Sequence, residues 1–452
     1  MNKFLLIFTL LTFGITLGAS PFIGVWKTDQ NNRVFISTNS KFYYEYENIL
    51  NPNISGSGTT EYNSLNITFP TSGNYKIKLY PQSNEFRFSA SDYEDIYFIE
   101  IKNWGEISWN KDLTKLFNYK INLTISATDI PDFANVTNFS YMFANCKKIE
   151  NIPNINSWNI SNATQLDKMF SNALLFNSVI GNWNTSKVES MSNMFAGAQT
   201  FNQNINDWDT SNVISMFSMF ASAYQFNQTI NSWNTSKVER MDYMFQDARS
   251  FNQSISNWQT NKVELMTKMF YGASDFDQNI GHFNLNSITS MTQMLDFSGM
   301  KCQNYNLTLI GWAANPNTPS AYDNTPFGIK VGAKYLRYGS AGQNPRFILT
   351  LKGYTFTEDI FDPNCAGLGV TENVNTKILE IYPNPISDNF NIKTNENLKS
   401  IEVYDINGRK IQDLSVNLGS NSYSLKNLKN SVYILRIKAD DDKTYIKKVI
   451  KK

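Results

Sequence analysis

Residues 205–223 read INDWDTSNVISMFSMFASA, and the fold turns on what this stretch does in space. Ile205-Asn-Asp-Trp208-Asp-Thr210 has spaced apolar residues and predicts a short extended piece. Ser211-Asn212 then offers a helix N-cap. Val213, Met216, Met219-Phe220 and Ala223 follow at spacings of three and four, which is one helical face. Phe226-Asn227-Gln228 turns the chain into its next unit.

The same text recurs on both sides at a step of 25 residues. Trp158, Trp183, Trp208, Trp233 and Trp258 keep this step, and Phe283 takes the next place. Ile155 to Ile280, Phe176 to Phe276 and Met191 to Met291 form further columns. Neighbouring units carry capping boxes, Ser186-x-x-Glu189, Ser236-x-x-Glu239 and Asn261-x-x-Glu264. A four-stranded propeller blade needs about 40 residues, so a leucine-rich-type solenoid fits the period better. No unit can bury its Trp, Ile, Met and Phe alone, so stacking must supply the core. The Met and aromatic columns are therefore core, not a cofactor box. Asn177, Asn202, Asn227 and Asn252, with Asp277 last, repeat at the turn and are expected to bond unpaired backbone groups.

The pattern fades towards Phe133 and Met142-Phe143 upstream and after Leu307, Ile310 and Trp312 downstream. Residues 346–356 (RFILTLKGYTF) predict a hairpin closing the core. Before the repeats, short β-branched and aromatic runs such as Phe42-Tyr43-Tyr44 and Tyr75 to Leu79 predict a β-sandwich. After them, alternating runs around Ile401 to Tyr404 and Val432 to Ile437 predict another, with an Asn-Gly turn at Asn407-Gly408. The expected class is thus a multidomain mixed α/β chain: an N-terminal β-sandwich, a leucine-rich-repeat-type solenoid with a C-terminal cap, and a C-terminal Ig-like β-sandwich. The expected boundaries are 1–19 signal peptide, 20–112 sandwich, 113–300 solenoid, 301–366 cap, 367–376 linker and 377–452 C-terminal domain.

Composition narrows the function. A net charge of +1 argues against an electrostatic nucleic-acid binder. One histidine excludes multi-histidine metal sites, and no cofactor or metal is expected. Met1-Asn2-Lys3, the apolar run Phe4 to Phe13 and the small residues Gly18, Ala19 and Ser20 predict a secretory signal peptide. No later stretch is long and apolar enough to span a membrane. Cys146 is in the register of a core position and is expected as a buried thiol, whereas Cys302 and Cys365 bracket the cap and could close it.

The string Ile-x-x-Trp-x-Thr-Ser-x-Val-x-x-Met-x-x-Met-Phe-x-x-Ala-x-x-Phe-Asn-Gln resembles the BspA-type leucine-rich-repeat surface proteins over about residues 116–360. Pro21 to Thr28 and Trp104 to Trp109 resemble the start and exit of the domain that commonly precedes such repeats. That resemblance implies a bacterial surface or secreted protein, with adhesion or binding as its class and no named ligand. Tyr382-Pro383-Asn384-Pro385, Asp405-x-x-Gly408-Arg409, Ser431-Val-Tyr-Ile-Leu435 and the basic end with Lys447 and Lys448 resemble the type A sorting domain of the Bacteroidetes type IX secretion system. Ser431 departs from the glycine usual there. This resemblance implies the type IX machinery as a partner through 377–452, and a secreted or surface-attached product.

No nucleophile motif such as G-x-S-x-G appears, and no catalytic residue is expected. Carboxylates at Asp92, Glu94 and Asp95, or at Glu358 and Asp359, read as solvated. His282 takes the place of Asn182, Asp207, Ser232 and Asn257 and reads as a drifting polar position whose loss should matter little. Ligand binding is expected instead on the polar stripe beside the tryptophans: Asn182, Asn184, Asp207, Asp209, Asn234, Asn257 and Gln259. Its partner would be a surface protein or a glycan. The competing readings are a structural coat or scaffold and, last, a surface hydrolase.

Overall fold

The computed structural model describes residues 19–82, 85–89, 95–315, 318–321, 328–365, 379–394, 397–405, 409–416, 421–440 and 444–452. The expected signal peptide up to residue 18, the 367–376 linker, the carboxylates Asp92 and Glu94, and the Asn407-Gly408 turn lie outside these residues.

The expected class does not form. Among the described residues the protein is β-rich, 27% strand against 7% helix, and its sheets are small. Among the described residues there is neither the leucine-rich-type solenoid nor a closed barrel. No α-helix lies in the repeats, where the capping boxes and three–four spacings predicted one per unit. The reason is where each N–H goes. Met191, Asn193, Phe195 and Gly197 donate to the carbonyls of Ser215, Phe217, Met219 and Ala221 in the next repeat. The residues between, Met194, Ala196 and Ala198, donate three residues back. Alternate donors thus leave the unit, and an i to i−4 ladder cannot propagate. Asn193 and Gly197 sit at φ 56° and 73°, and the same two columns are left-handed at Lys168/Asn172, Ser218/Ser222, Tyr243/Asp247, Lys268/Gly272 and Gln293/Phe297. Left-handed backbone costs a non-glycine residue roughly 1–2 kcal/mol, offset here by bonds between repeats. At Gly197 and Gly272 a Cβ would run into Asn172 or Asp247 of the preceding repeat.

Each repeat is therefore a string of tight turns laid on its neighbour, with parallel bridges running Asn138, Gln165, Ser190, Ser215, Arg240, Leu265 and Ser290. The apolar columns point inward. Phe195 stacks 5.7 Å from Phe220, and Trp183 lies 6.2 Å from Trp208 with the two rings almost parallel. The columns expected as core are buried throughout.

Upstream, a six-stranded sheet is ordered Ser55–Thr59, Phe42–Asn48, Asn74–Pro81, Phe22–Lys27, Phe98–Asn103 and Thr124–Ile125. The last strand runs parallel to its neighbour and joins the sheet to the repeats. Arg33–Ser37 and Ser64–Thr68 form a separate ribbon. Trp104 meets Phe133 and Trp158 edge-on, so one apolar core runs from Phe22 to Tyr354.

Downstream, helix α1 (Cys302–Ala314) and helix α2 (Ser340–Leu351) close the stack. The hairpin expected over 346–356 is instead the end of α2 followed by strand Tyr354–Thr357, which pairs in parallel with Ile329–Gly332. A short apolar run does not by itself distinguish strand from helix. Here Leu349 is buried, and Arg346 forks onto the buried Asp359 carboxylate at 2.7 and 2.8 Å. Cys302 and Cys365 form a disulfide across the cap. Cys146 is a buried free thiol whose Sγ–H meets the Phe117 carbonyl at 3.0 Å, and burial pushes its pKa up to about 12.

Residues from Leu379 onward have their own core. A three-stranded sheet (Glu380–Tyr382, Asn389–Lys393, Ser422–Ser424) accompanies a four-stranded one (Lys410–Leu414, Leu398–Tyr404, Val432–Ala439, Thr444–Ile450).

Candidate binding surface

Stacking at a constant step turns each exposed position into a column of side chains. Asn182, Asn184, Asp207, Asp209, Asn234, Asn257 and Gln259 are all exposed beside the buried tryptophans, so the predicted stripe is brought onto one face. Much of its polarity is already used. Asn184, Asp209 and Asn234 each accept the N–H two residues on, from Ser186, Ser211 and Ser236 at 2.9–3.1 Å. These are Asx turns, and no helix follows them for the expected capping boxes to cap. The Ser211 hydroxyl and N–H hold the Asp209 carboxyl below the usual range. The backbone N–H groups of Asn182 and Asn257 are bound by Asn156 and Asn231 of the preceding repeat. Gln259 N–H donates to Thr235 Oγ1 at 2.8 Å.

The turn asparagines link repeats. Asn227 Oδ1 accepts from Asn252 N and Gln253 Nε2, both at 3.0 Å, and Asn177, Asn202 and Asn252 act alike. The indoles form a second such column. Trp183, Trp208, Trp233 and Trp258 donate Nε1–H to the carbonyls of Ile155, Ile180, Ile205 and Ile230 at 2.8–3.1 Å. Phe283 has no such donor. His282 Nε2 stands 2.9 Å from the Ile255 carbonyl instead, and Trp312 of α1 serves Ile280 at 3.0 Å. His282 is therefore a substitute donor, which requires its Nε2–H form. Burial lowers its pKa, with the Ile255 bond opposing.

The opposite, turn-side face carries a feature that reading along the chain missed. Arg240 lies 4.7 Å over Phe217, and Phe217 meets Tyr243 edge-on at 5.7 Å. Lys268 stands between Tyr243 and Tyr271, 5.7 and 5.2 Å from their centroids. Phe297 touches Tyr271 and Tyr335 edge-on at 5.3 and 5.6 Å, with Lys334 over both Phe297 and Tyr335. Cations and rings thus alternate across several repeats. Comparing residues 23 to 26 positions apart, as with Tyr243 and Lys268, finds the row as far as Phe297, whereas Lys334 and Tyr335 lie in the cap, outside that step.

Among the described residues, the carboxylates weighed for catalysis are committed to cations. Asp95 pairs with Lys120 at 2.7 Å, Glu358 with Lys334 at 2.8 Å, and Asp359 with Arg346 and the Tyr305 hydroxyl.

In the C-terminal unit the two ends of the predicted sorting signal meet. Tyr382, Pro383, Asn384 and Pro385 are exposed, with cis bonds before both prolines. Asn384 Oδ1 accepts from Ile450 N at 2.8 Å, and its amide donates to Lys448 O at 2.9 Å. Lys447 is half-buried and Lys448 exposed. Lys451, in the same basic end, is buried: its ammonium donates to the carbonyls of Leu425 and Leu428 at 2.7 Å and pairs with Asp388.

Two family profiles match. Residues 111–225 and 200–309 match the family described as "Mycoplasma protein of unknown function, DUF285". Residues 380–452 match the secretion system C-terminal sorting domain. No curated protein and no solved structure matches the chain. The sorting domain makes the chain a type IX secretion substrate, delivered to the cell surface or released. Among the described residues no helix is long and apolar enough to cross a membrane.

Proposed function

We propose that the exported chain is a non-enzymatic adhesion or ligand-binding protein that presents its repeats to a protein or glycan. The observation that carries this reading is the turn-side row of alternating cations and rings from Arg240 to Tyr335. Exposed aromatic faces serve recognition, and Phe297 and Tyr335 keep 41% and 62% of their surface in solvent. The likeness of the repeat string to BspA-type surface proteins, and delivery by the sorting domain, support the same reading. The polar stripe at Asn182, Asp207, Asn257 and Gln259 is a second face, beside which the side chains of Asn184, Asp209 and Asn234 are tied into turns.

Titrating the secreted chain against glycan and protein arrays tests the proposal. Saturable binding that weakens on Tyr335→Ala or Lys268→Gln supports it. Turnover of a substrate would make the chain an enzyme. Neither binding nor turnover would leave a coat or scaffold role.

A further inference from the structure

The six-stranded sheet ends on one side at strand Ser55–Thr59, which pairs only with Phe42–Asn48. Its other side, at Thr124–Ile125, runs on into the repeats. Along the free side the backbone groups alternate in direction. Thr60 N donates to the Phe42 carbonyl and Asn48 N to the Ile54 carbonyl, so the bonded pairs fall on even-numbered residues. Gly56 and Gly58 therefore bond to Tyr46 and Tyr44, whereas the N–H and C=O groups of Ser55, Ser57 and Thr59 point away from the sheet. Ser55 and Ser57 are exposed. An open edge invites a further strand, and proteins commonly blunt theirs with lysine, proline or a bulge. Ser55-Gly-Ser-Gly-Thr59 has no charge, no proline and a continuous register.

Both faces of this strand suit close approach. On the inner face the glycines carry no side chain, and tyrosines of the neighbouring strand reach across them. A Cβ on Gly56 or on Gly58 would stand 2.6 Å from the hydroxyl of Tyr46 or of Tyr44. On the outer face the charges beside the serines cancel, since Glu45 pairs with Lys78 at 2.9 Å and Glu47 with Lys76. Large exposed apolar side chains flank the strand at its two ends. Leu50 precedes it with 93% of its surface in solvent, and Tyr62 follows it with 74%.

We propose that this edge pairs with the same edge of a second copy of the chain, antiparallel about a two-fold axis at Ser57. The edge is its own complement in that register. Ser57 faces Ser57 and Ser55 faces Thr59, so the three outward-pointing residues exchange about six backbone hydrogen bonds. Gly56 falls opposite Gly58 of the partner subunit, with Cα atoms about 4.5 Å apart. Only tyrosine hydroxyls stand over that seam, so Tyr46 of one copy meets Tyr44 of the partner subunit. The same register brings Tyr62 alongside the end that carries Leu50 in the other copy. A short foreign peptide would fill the backbone bonds but leave those apolar ends uncovered. The seam shares no residue with the row from Arg240 to Tyr335, and the inference stands independently of the binding reading. Its size places it among small interfaces, about 1,200 Å² or less, so a micromolar monomer–dimer equilibrium is expected.

Sedimentation equilibrium of the full secreted chain, from about 1 to about 100 µM, should show monomer passing to dimer and nothing larger. Ser57→Pro removes the central outward N–H, which the sheet itself does not use, so the fold should persist. Its dimer should be at least about tenfold weaker. Ser57→Lys places like charges on the axis and should weaken the dimer likewise, less so at high salt. Circular dichroism checks that both variants fold, and Ser57→Lys decides the question if Ser57→Pro does not. Ser57→Cys reads the register, because bonded antiparallel pairs hold their Cα atoms about 5.5 Å apart, within disulfide range. Mild oxidation should give a covalent dimer, whereas Ser72→Cys, exposed away from the edge strand, should not. Tyr335→Ala, which alters the proposed ligand surface, should dimerise like the parent. A parent that stays monomeric, a folded Ser57 variant that dimerises as strongly, no Ser57→Cys crosslink, or loss of the dimer in Tyr335→Ala overturns the proposal. Capture of an extended peptide by a chain that stays monomeric overturns it too.

Discussion

His282 Nε2 lies 2.9 Å from the carbonyl oxygen of Ile255, making the contact that the Trp258 indole makes to Ile230 one repeat earlier. From Ile155 to Ile280, every carbonyl in this column has a ring N–H reaching it from the following repeat or, for Ile280, from Trp312 of α1. His282 is itself exposed and its bond part-buried, so water can partly replace it, and His282→Ala should cost about 0.5–1.5 kcal/mol. Phe283→Trp supplies an indole at the position used elsewhere and should recover most of the loss. Urea melts of the single and double variants check this, and a His282→Ala midpoint equal to the parent's would refute the bond's contribution.

The same contact has a pH signature. Burial places the folded His282 pKa below its ordinary 6.5, so the unfolded chain takes up the proton more readily. Its share of stability is complete above the unfolded value and is lost as pH falls towards the folded one. Between about pH 8 and about pH 5, the parent should lose more stability than His282→Gln. Parallel curves for the two proteins would contradict the assignment.

Trp208 is buried, stacks on Trp183 at 6.2 Å and donates to Ile180 at 3.1 Å. Trp208→Ala should cost about 3–5 kcal/mol, because the cavity is shared by the repeats on both sides. Trp208→Phe keeps much of the packing but leaves the Ile180 carbonyl unpaired, so it should fall between parent and alanine. Calorimetry of the three proteins gives the order, and a Phe variant as damaged as the Ala variant would mean that packing is not the larger part.

Cys302 and Cys365 close a loop 63 residues apart in sequence. In the chain-entropy description such a crosslink contributes about 4 kcal/mol. Reduction, or Cys302→Ser with Cys365→Ser, should lower the melting point of the cap while Cys146 stays unreactive until global unfolding. Mass spectrometry after alkylation under native and denaturing conditions reads both. Early labelling of Cys146 would contradict its burial.

The apolar core of residues 22–354 shares no side chain with the core of residues 379–449. Removing 377–452 should thus leave the repeats folded but hold the chain in the periplasm. Asn384→Ala, which frees the Lys448–Ile450 segment, should impair export in the same direction. Fractionation and surface proteolysis report on both, and normal surface display of the truncated chain would refute the sorting assignment.

The sequence by itself determined the period, the buried columns and the delivery route. A step of 25 residues brings Trp208 over Trp183 and Asn227 beside Asn202, whatever backbone lies between. The three–four spacing of Val213, Met216, Phe220 and Ala223 could not determine that backbone, because a string of alternating right- and left-handed turns buries the same positions as a helix. The choice falls to N–H groups such as Asn193 and Gly197, which bond to carbonyls that exist only once the next repeat is in place. The role of His282 and the cation–ring row were equally hidden, since their partners stand about one repeat away in sequence and meet only through stacking. Periodicity belongs to the one-dimensional chain, whereas hydrogen-bond partners between repeats belong to the stack, and here those partners decided the backbone, the histidine and the binding face.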